Sequence, residues 1–319
     1  MTRFESPTGH DPEEENSSEE DHSPAEGNSP EEGEAFLADG FDPELLDDGD
    51  DEDEEDGEEG ESDDADGEEG GDPSKEKAPS SKAAGKDEEK PREPPPKPPT
   101  KKVMMEALEW AFEGQTLLEP GLLERYCEHA LLLLKANQNV NLTGITDPKE
   151  VAVKHYFDSW RLIQMMPLMG RRVLDLGCGA GFPGIPLAMA EPQAKFVLCD
   201  STHKKIDFVL DSIEKLSIKN ATAVPERAED HLLTNNYDVI VARAVSSVRE
   251  NVRTLRKVRH RLKDFVMYKG QSWSREVRAG EREVERLGFS LDTVWEYELP
   301  GEMGKRALLV YRAPGGQGG

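Results

Sequence analysis

Four short apolar runs, RRVLDLG (171–177), AKFVLCD (194–200), YDVIVARA (237–244) and DFVMYKG (264–270), alternate with stretches of helical character in the second half of this chain. Each run centres on four mostly apolar residues, VLDL, FVLC, VIVA and FVMY, without regular polar alternation, which is the pattern of a strand buried on both faces. Between them lie HKKIDFVLDSIEKL (203–216), SSVRENVRTLRKVRHRL (246–262) and SREVRAGEREVERLG (274–288). Strand followed by helix, repeated, dictates a mainly parallel α/β sheet with helices on both faces. The last stretch, TVWEYELPGEMGKRALLVYR, reads as two further strands joined by a Gly-containing turn.

Upstream of the sheet the period is helical. VMMEALEWAFE and GLLERYCEHALLLLKANQ carry apolar residues at helical spacing, among them Leu122, Tyr126, Ala130, Leu133 and Leu134. A third helix is predicted to open at Asp147, with Asp147 as N-cap, Pro148 in the first turn and Glu150 three residues after the cap. It runs through KEVAVKHYFDSWRLIQMM.

The formal charge of −28 is distributed unevenly: residues 1–100 hold 38 Asp and Glu against 8 Lys and Arg, whereas residues 101–319 hold 29 against 31. The first hundred residues are poor in apolar side chains and repel themselves, so they cannot bury enough surface to offset the entropy of ordering. The expected organisation is an acidic disordered tail with a Pro-rich linker (1–100), an N-terminal helical region (101–168), a sheet domain (169–312) and a flexible end (313–319). Within the tail, EAFLADGFDPELL is the local exception and a candidate recognition segment. The tail is expected to act as a solvated, solubilising block. A sharper reading has it mimic nucleic acid and compete for a basic groove on its own domain.

Three cysteines, Cys127, Cys178 and Cys199, stand without a CxxC pair or a His at ligand spacing, so they read as structural thiols in a reducing, cytoplasmic setting with no metal. The acidic start is unlike a secretory leader, and the Leu131–Leu134 run is too short for a membrane span.

Chemistry concentrates at VLDLGCGAGFPGIPLAMA (173–190). It follows the first strand and leads into a helix, so its glycines lie at the carboxyl end of the sheet, where open α/β sheets bind ligands. Gly179, Gly181 and Gly184 satisfy the dinucleotide spacing GxGxxG, and Gly177, Gly179 and Gly181 satisfy the tighter GxGxG of S-adenosylmethionine enzymes. A bare turn without ligand is a third reading. Asp200, at the end of the second run, suits the ribose hydroxyls in either cofactor class. Asp175, two residues before the first glycine, sits poorly beside a pyrophosphate and well near a sulfonium or an amino group, directly or by holding N–H groups of the loop.

NQNVNLTGITDPKEVAVKHYFDS, LDLGCGAGFPGIPLA, LCDSTHKKIDFV, ERAED, YDVIVARAV and YKG occur in this order. Together they resemble the small-subunit ribosomal RNA guanine-N7 methyltransferase family over about residues 120–312. The resemblance implies a Rossmann-like class I methyltransferase sheet with an antiparallel edge, S-adenosylmethionine as donor, and a guanine of the 16S ribosomal RNA, naked or within the 30S particle, as acceptor. By matching motifs it implies cofactor contacts from Gly177, Phe182, Ala228, Glu229 and Arg243, to which the residue reading adds Gly179 and Asp200. Phe182 would give an apolar wall, Ala228 and Glu229 would meet the adenine edge, and Arg243 would stand beside the methyl-transfer pocket. Guanine N7 carries a lone pair and no proton, so no general base is required and no catalytic side chain is assigned.

RNA also needs cationic partners. Arg249, Arg253, Arg256 and His260 fall on one face of a continuous helix, where a solvated polar face is the ordinary reading, and Lys204, Lys205 and Lys269, near the strand ends, are the better phosphate candidates. Asn141, Thr143, His155, Asp158 and Ser159 belong to the N-terminal signature. They are expected to form either a buried polar network under the pocket or a substrate-facing rim. The chain is read as a monomer, with a tethering factor as the competing functional class.

Overall fold

The structure, a computed structural model, describes residues 36–37, 97–116 and 118–314. The four apolar runs become strands β2 (Arg172–Leu176), β3 (Lys195–Cys199), β5 (Tyr237–Arg243) and β6 (Leu262–Lys269), joined by β4 (Ala221–Val224). These five are parallel to their neighbours in the order β6-β5-β2-β3-β4. The chain direction changes at the C-terminal hairpin of β7 (Ser290–Glu298) and β8 (Lys305–Arg312), with β8 antiparallel to β6. A two-residue strand β1, Phe36–Leu37, pairs antiparallel with the outer edge of β7. It lies inside the EAFLADGFDPELL segment; the rest of the expectation for the acidic tail lies outside the described residues.

Strand alternation sorts side chains onto two faces. Val173, Val239, Val241, Val266 and Tyr268 pack on one, with the N-terminal helices. Leu174, Leu176, Ile240, Ala242, Phe265 and Met267 pack on the other. The first face is covered by α1 (Lys101–Ala111), α2 (Leu122–Ala136), α5 (Gly184–Ala190) and α6 (His203–Lys215), and by a continuous helix over 148–165. That helix consists of α3 (Pro148–Val151), a π-helical segment Ala152–Phe157 and α4 (Asp158–Met165). The N-terminal helices therefore share a core with the sheet: Leu108, Tyr126, Trp160 and Leu162 are at most 1% exposed. The opposite face carries α7 (Ala228–His231), α8 (Val248–Thr254) and α9 (Trp273–Arg286).

The helix start at Pro148 forms as the sequence dictates: the Asp147 carboxylate accepts from the N–H groups of Lys149 and Glu150 at 3.0 and 3.1 Å. Glu150 does not close a capping box but pairs with Lys154 at 2.5 Å. Two expectations are corrected. The stretch 246–262 is not one helix: α8 ends at Thr254, a turn follows, and Arg259–Arg261 form a 3-10 turn into β6. Arg249, Arg253, Arg256 and His260 thus share no single helical face. The sheet domain also reaches one residue past the expected boundary, because Ala313 is 1% exposed and donates its N–H to the Lys263 carbonyl; residues 315–319 lie outside the described residues. No described helix is long and apolar enough to cross a membrane.

Candidate functional site

The glycine turn leaves the carboxyl end of β2 and is held by its neighbours rather than by itself. Gly177 and Cys178 donate their N–H groups to the Cys199 carbonyl at the end of β3, at 2.8 and 3.1 Å. Gly179 donates to Asp200 Oδ2 at 3.0 Å, and Gly181 and Phe182 donate to the Cys178 carbonyl. Five successive donors of the turn, Ala180 apart, are therefore spent inside the protein. A pyrophosphate needs free N–H groups aimed at it, and this turn offers none from those five. Of the two glycine readings, the carboxylate-rich one fits the geometry.

Asp175 and Asp200 flank the turn. Asp175 is fully buried; its Oδ2 accepts from the Gly184 N–H at 2.8 Å, and its Oδ1 has no partner among the described residues. Burial pushes its pKa up to about 7, against the opposing pull of the Gly184 hydrogen bond and of Arg243. Gly184 has to be glycine here: a Cβ would lie 2.7 Å from Asp175 Oδ2 and 2.8 Å from Leu198. Asp200 is half-buried and already accepts from Gly179 and, through Oδ1, from the Thr202 N–H at 2.8 Å. Each oxygen keeps a second lone pair for an incoming hydroxyl. Gly179, at φ +57°, has nothing within 4 Å of where a Cβ would stand, so the turn presents an open face at that point.

Two further turns meet this one. Beyond β4, Ala228 opens α7 with Glu229 next to it, and the turn is tied to β3 by the Cys199 thiol, 3.0 Å from the Glu226 carbonyl. Beyond β5, Ala244 adopts φ +54°, a left-handed conformation that a residue with a Cβ rarely takes. This bend brings Val245, 39% exposed, against the glycine turn; a Cβ on Gly177 would stand 2.9 Å from its Cγ2.

Arg243 ends β5 on the face of Val239 and Val241, under the helix over 148–165. Its Nη1 donates to the Lys154 carbonyl at 2.9 Å, to Asp158 Oδ2 at 3.2 Å and to Ser159 Oγ at 3.2 Å. The π-helical segment contributes the first of these acceptors. Tyr297 donates to Asp158 Oδ1 at 2.7 Å, and Tyr268 donates to the Ser159 carbonyl at 2.8 Å. Asp158 is 4% exposed and Ser159 fully buried. This network was legible only as the DS of the N-terminal signature; Tyr297, 139 residues away on β7, carries no sequence signal.

Phe182 does not form an open wall. It is 6% exposed, its ring stacks on His155 at 4.5 Å and 15°, and the Arg243 guanidinium lies 5.3 Å from its centre. It packs behind the site and supports Arg243. His155 is held by Thr143 at 2.9 Å, and burial pulls its pKa down to about 3, so the ring is neutral. Of the signature residues, His155, Asp158 and Ser159 form the buried network with the half-buried Thr143 at its edge, whereas Asn141 is exposed.

The phosphate candidates separate. Lys204 is exposed and Lys205 half-buried in the first turn of α6, close to Asp200. Lys269 is 9% exposed on the opposite face of the sheet, and its ammonium is committed to the Ser246 carbonyl at 2.5 Å and to Glu276 at 2.7 Å. It serves as a bracket between the β5–α8 loop and α9 rather than as a free phosphate contact. Cys127, Cys178 and Cys199 are free and buried, and the described residues contain no group of His, Cys, Asp and Glu suited to a metal.

The family described as rRNA small subunit methyltransferase G matches residues 122–300. Among curated relatives, the Ribosomal RNA small subunit methyltransferase G of Solibacter usitatus is 35% identical over 214 residues, covering 64% of this chain and all of that protein. Its counterpart in Carboxydothermus hydrogenoformans is 35% identical over 195 residues, covering 60% and 82% respectively. The Histophilus somni protein is 34% identical over 212 residues, covering 65% and 95%.

Proposed function

Since the chain belongs to the rRNA small subunit methyltransferase G family, we propose that it transfers a methyl group from S-adenosylmethionine to N7 of a guanine in the 16S RNA of the small ribosomal subunit. The observation that carries the reading is the glycine turn whose N–H donors, Ala180 apart, are spent internally, with the half-buried Asp200 carboxylate beside it and Asp175 buried beneath it. That arrangement rejects a pyrophosphate and suits a nucleoside bearing positive charge.

Bound S-adenosylmethionine supplies a methyl group activated by its sulfonium charge. Asp200 would accept from the ribose hydroxyls with the lone pairs left over by Gly179 and Thr202, and Ala228 and Glu229 would bound the adenine on the adjacent turn. Gly177 and Gly179 would let the backbone approach the donor closely, and Arg243, anchored on Asp158, would hold the acceptor side of the pocket rigid. Guanine N7 has an exposed lone pair and no proton to lose, so the residues need only align it with the methyl group and exclude water. The His155–Phe182 stack, held by the Thr143 hydrogen bond, and the Arg243 anchor would supply that rigidity. In this reading the acceptor RNA is met in the cytoplasm, free or in the 30S particle, and Lys204 and Lys205 are available to its backbone.

The test is incorporation of labelled methyl into unmodified small subunits and into free 16S RNA, followed by nucleoside analysis for N7-methylguanine. The expected result is a signal that falls at least a hundredfold in Asp200→Ala together with donor affinity. A protein that only tethers RNA would show no methyl transfer and no dependence on Asp200, and that result would refute the proposal.

A further inference from the structure

We infer that the groove between α8 and α9 binds the RNA phosphate backbone beside the methyl-transfer site; the inference rests on the RNA substrate proposed above. The groove has a volume of about 400 Å³ and is lined by Ser247, Arg249, Glu250, Arg253, Arg275 and Glu276. Its carboxylates are already engaged, Glu276 by a cation and Glu250 by neutral donors that leave its charge in place. Glu250 is held by the Ser247 N–H and hydroxyl at the start of α8, and Glu276 by the Lys269 ammonium at 2.7 Å. Arg253 is partly committed, 3.2 Å from Glu283, which it shares with Arg286.

Arg249 and Arg275 remain. Both are exposed, and neither has an ion pair or a side-chain hydrogen bond among the described residues. Two free guanidinium groups facing one groove form a site for a polyanion, since arginine matches phosphate oxygens through two parallel donors. On the far side of Arg253 a second depression of about 450 Å³ sets Arg256 and Lys257 opposite Glu229 and Asp230 of α7, so the cationic surface there is confined to the α8 side.

Position and net charge identify the occupant. The groove starts at Ser247, two residues beyond the Val245 that rests on Gly177, so a strand lying in it leads to the methyl-transfer end of the pocket. The whole chain carries −28 and repels RNA at long range. Affinity must therefore come from a local cationic surface, and backbone contacts of this kind dominate RNA binding.

The experiment uses the full chain, in vitro-transcribed 16S RNA as probe, and KCl from 50 to 300 mM. Arg249→Gln/Arg275→Gln is compared with wild type, with S-adenosylhomocysteine binding measured on both. Losing two single-strand phosphate contacts should make the slope of log affinity against log salt shallower by about 1.4. Equivalently, the advantage of wild type over the variant should be about sevenfold larger at 50 mM than at 200 mM. Donor affinity should stay within twofold. A slope change below about 0.3, with donor affinity intact, overturns the inference.

If the double variant melts early, the single variants Arg249→Gln and Arg275→Gln carry the test, each with an expected change of about 0.7. Tight binding of inorganic phosphate in place of RNA, with an unaltered RNA slope, overturns it in favour of a small-anion site. A reduced slope in a protein that transfers no methyl group would sink the proposed reaction and leave the groove standing.

Discussion

Asp158→Ala removes the carboxylate on which the Arg243 anchor depends, and the cost can be worked from the surroundings. The side chains of Arg243 and Asp158 are 13% and 5% exposed, with 3.2 Å between Nη1 and Oδ2. At an effective dielectric of about 20, that separation gives about 5 kcal/mol of gross attraction, part of which offsets the desolvation of both charges. Removing one partner of a buried pair costs about 3–5 kcal/mol, because the other charge stays buried. Arg243 keeps the Lys154 carbonyl and the Ser159 hydroxyl, which places the loss at the lower end, about 3 kcal/mol. Tyr297 also loses the carboxylate that accepts its hydroxyl at 2.7 Å, adding about 1 kcal/mol.

The expected total is about 4 kcal/mol, a large part of the stability of an ordinary domain. Urea unfolding should show it as a lower midpoint at unchanged slope. Tyr297→Phe is the control: it deletes one donor, leaves the Arg243 pair intact and should cost only about 1–2 kcal/mol. Both variants should be tested for donor binding, since a loosened Arg243 shifts from the Phe182 ring that backs the site. If Asp158→Ala costs less than about 1 kcal/mol, or no more than Tyr297→Phe, the anchor does not carry the load assigned to it.

Acid should destabilise the fold through its buried histidines and stabilise it through Asp175. His129 and His155 have pKa values near 3 when folded because burial penalises their charged forms. The unfolded chain therefore binds more protons below pH 6.5, and each ring removes about 1.4 kcal/mol per pH unit as pH falls toward 3. Asp175, raised to about 7, acts with the opposite sign between pH 7 and its unfolded value near 3.8. Net stability should fall by about 1.4 kcal/mol per unit between pH 6.5 and 5, steepening to about 2.8 in Asp175→Asn; a flat profile in urea titrations would contradict the assignment. At the glycine turn, Gly184→Ala should cost at least about 2 kcal/mol through overpacking against Asp175 and Leu198. Gly179→Ala meets only backbone strain of about 1–2 kcal/mol, and should weaken S-adenosylhomocysteine binding more than it lowers the melting temperature. Equal melting losses in the two variants would show that the packing difference has no consequence.

Much of this molecule was legible before any coordinates. The apolar runs became β2, β3, β5 and β6, because strands buried on both faces must be continuously apolar and turn residues must stand between them. The Asp147–Pro148 start needed only local capping chemistry, and the convergence of the strand-end turns follows from parallel topology. The Val239, Val241, Arg243 spacing even indicates which face Arg243 shares. The helix expected over 246–262 failed for a tertiary reason. Val248, Val252, Leu255, Val258 and Leu262 are all buried as their spacing demands, but Leu262 begins β6, so α8 stops at Thr254 to bring the chain to that strand.

What the sequence determined by itself is the order of elements, the glycine turn and its two carboxylates, since these depend on residue type and short-range spacing. What only the tertiary structure decided is which charges are spent and which are free. Lys269 is committed to Glu276 and Arg243 to Asp158, while Arg249 and Arg275 are left open. The physical reason is that ion pairing and burial depend on separations across 85 residues for Arg243 and Asp158 and 139 for Tyr297 and Asp158, and one-dimensional spacing carries no distance over that range.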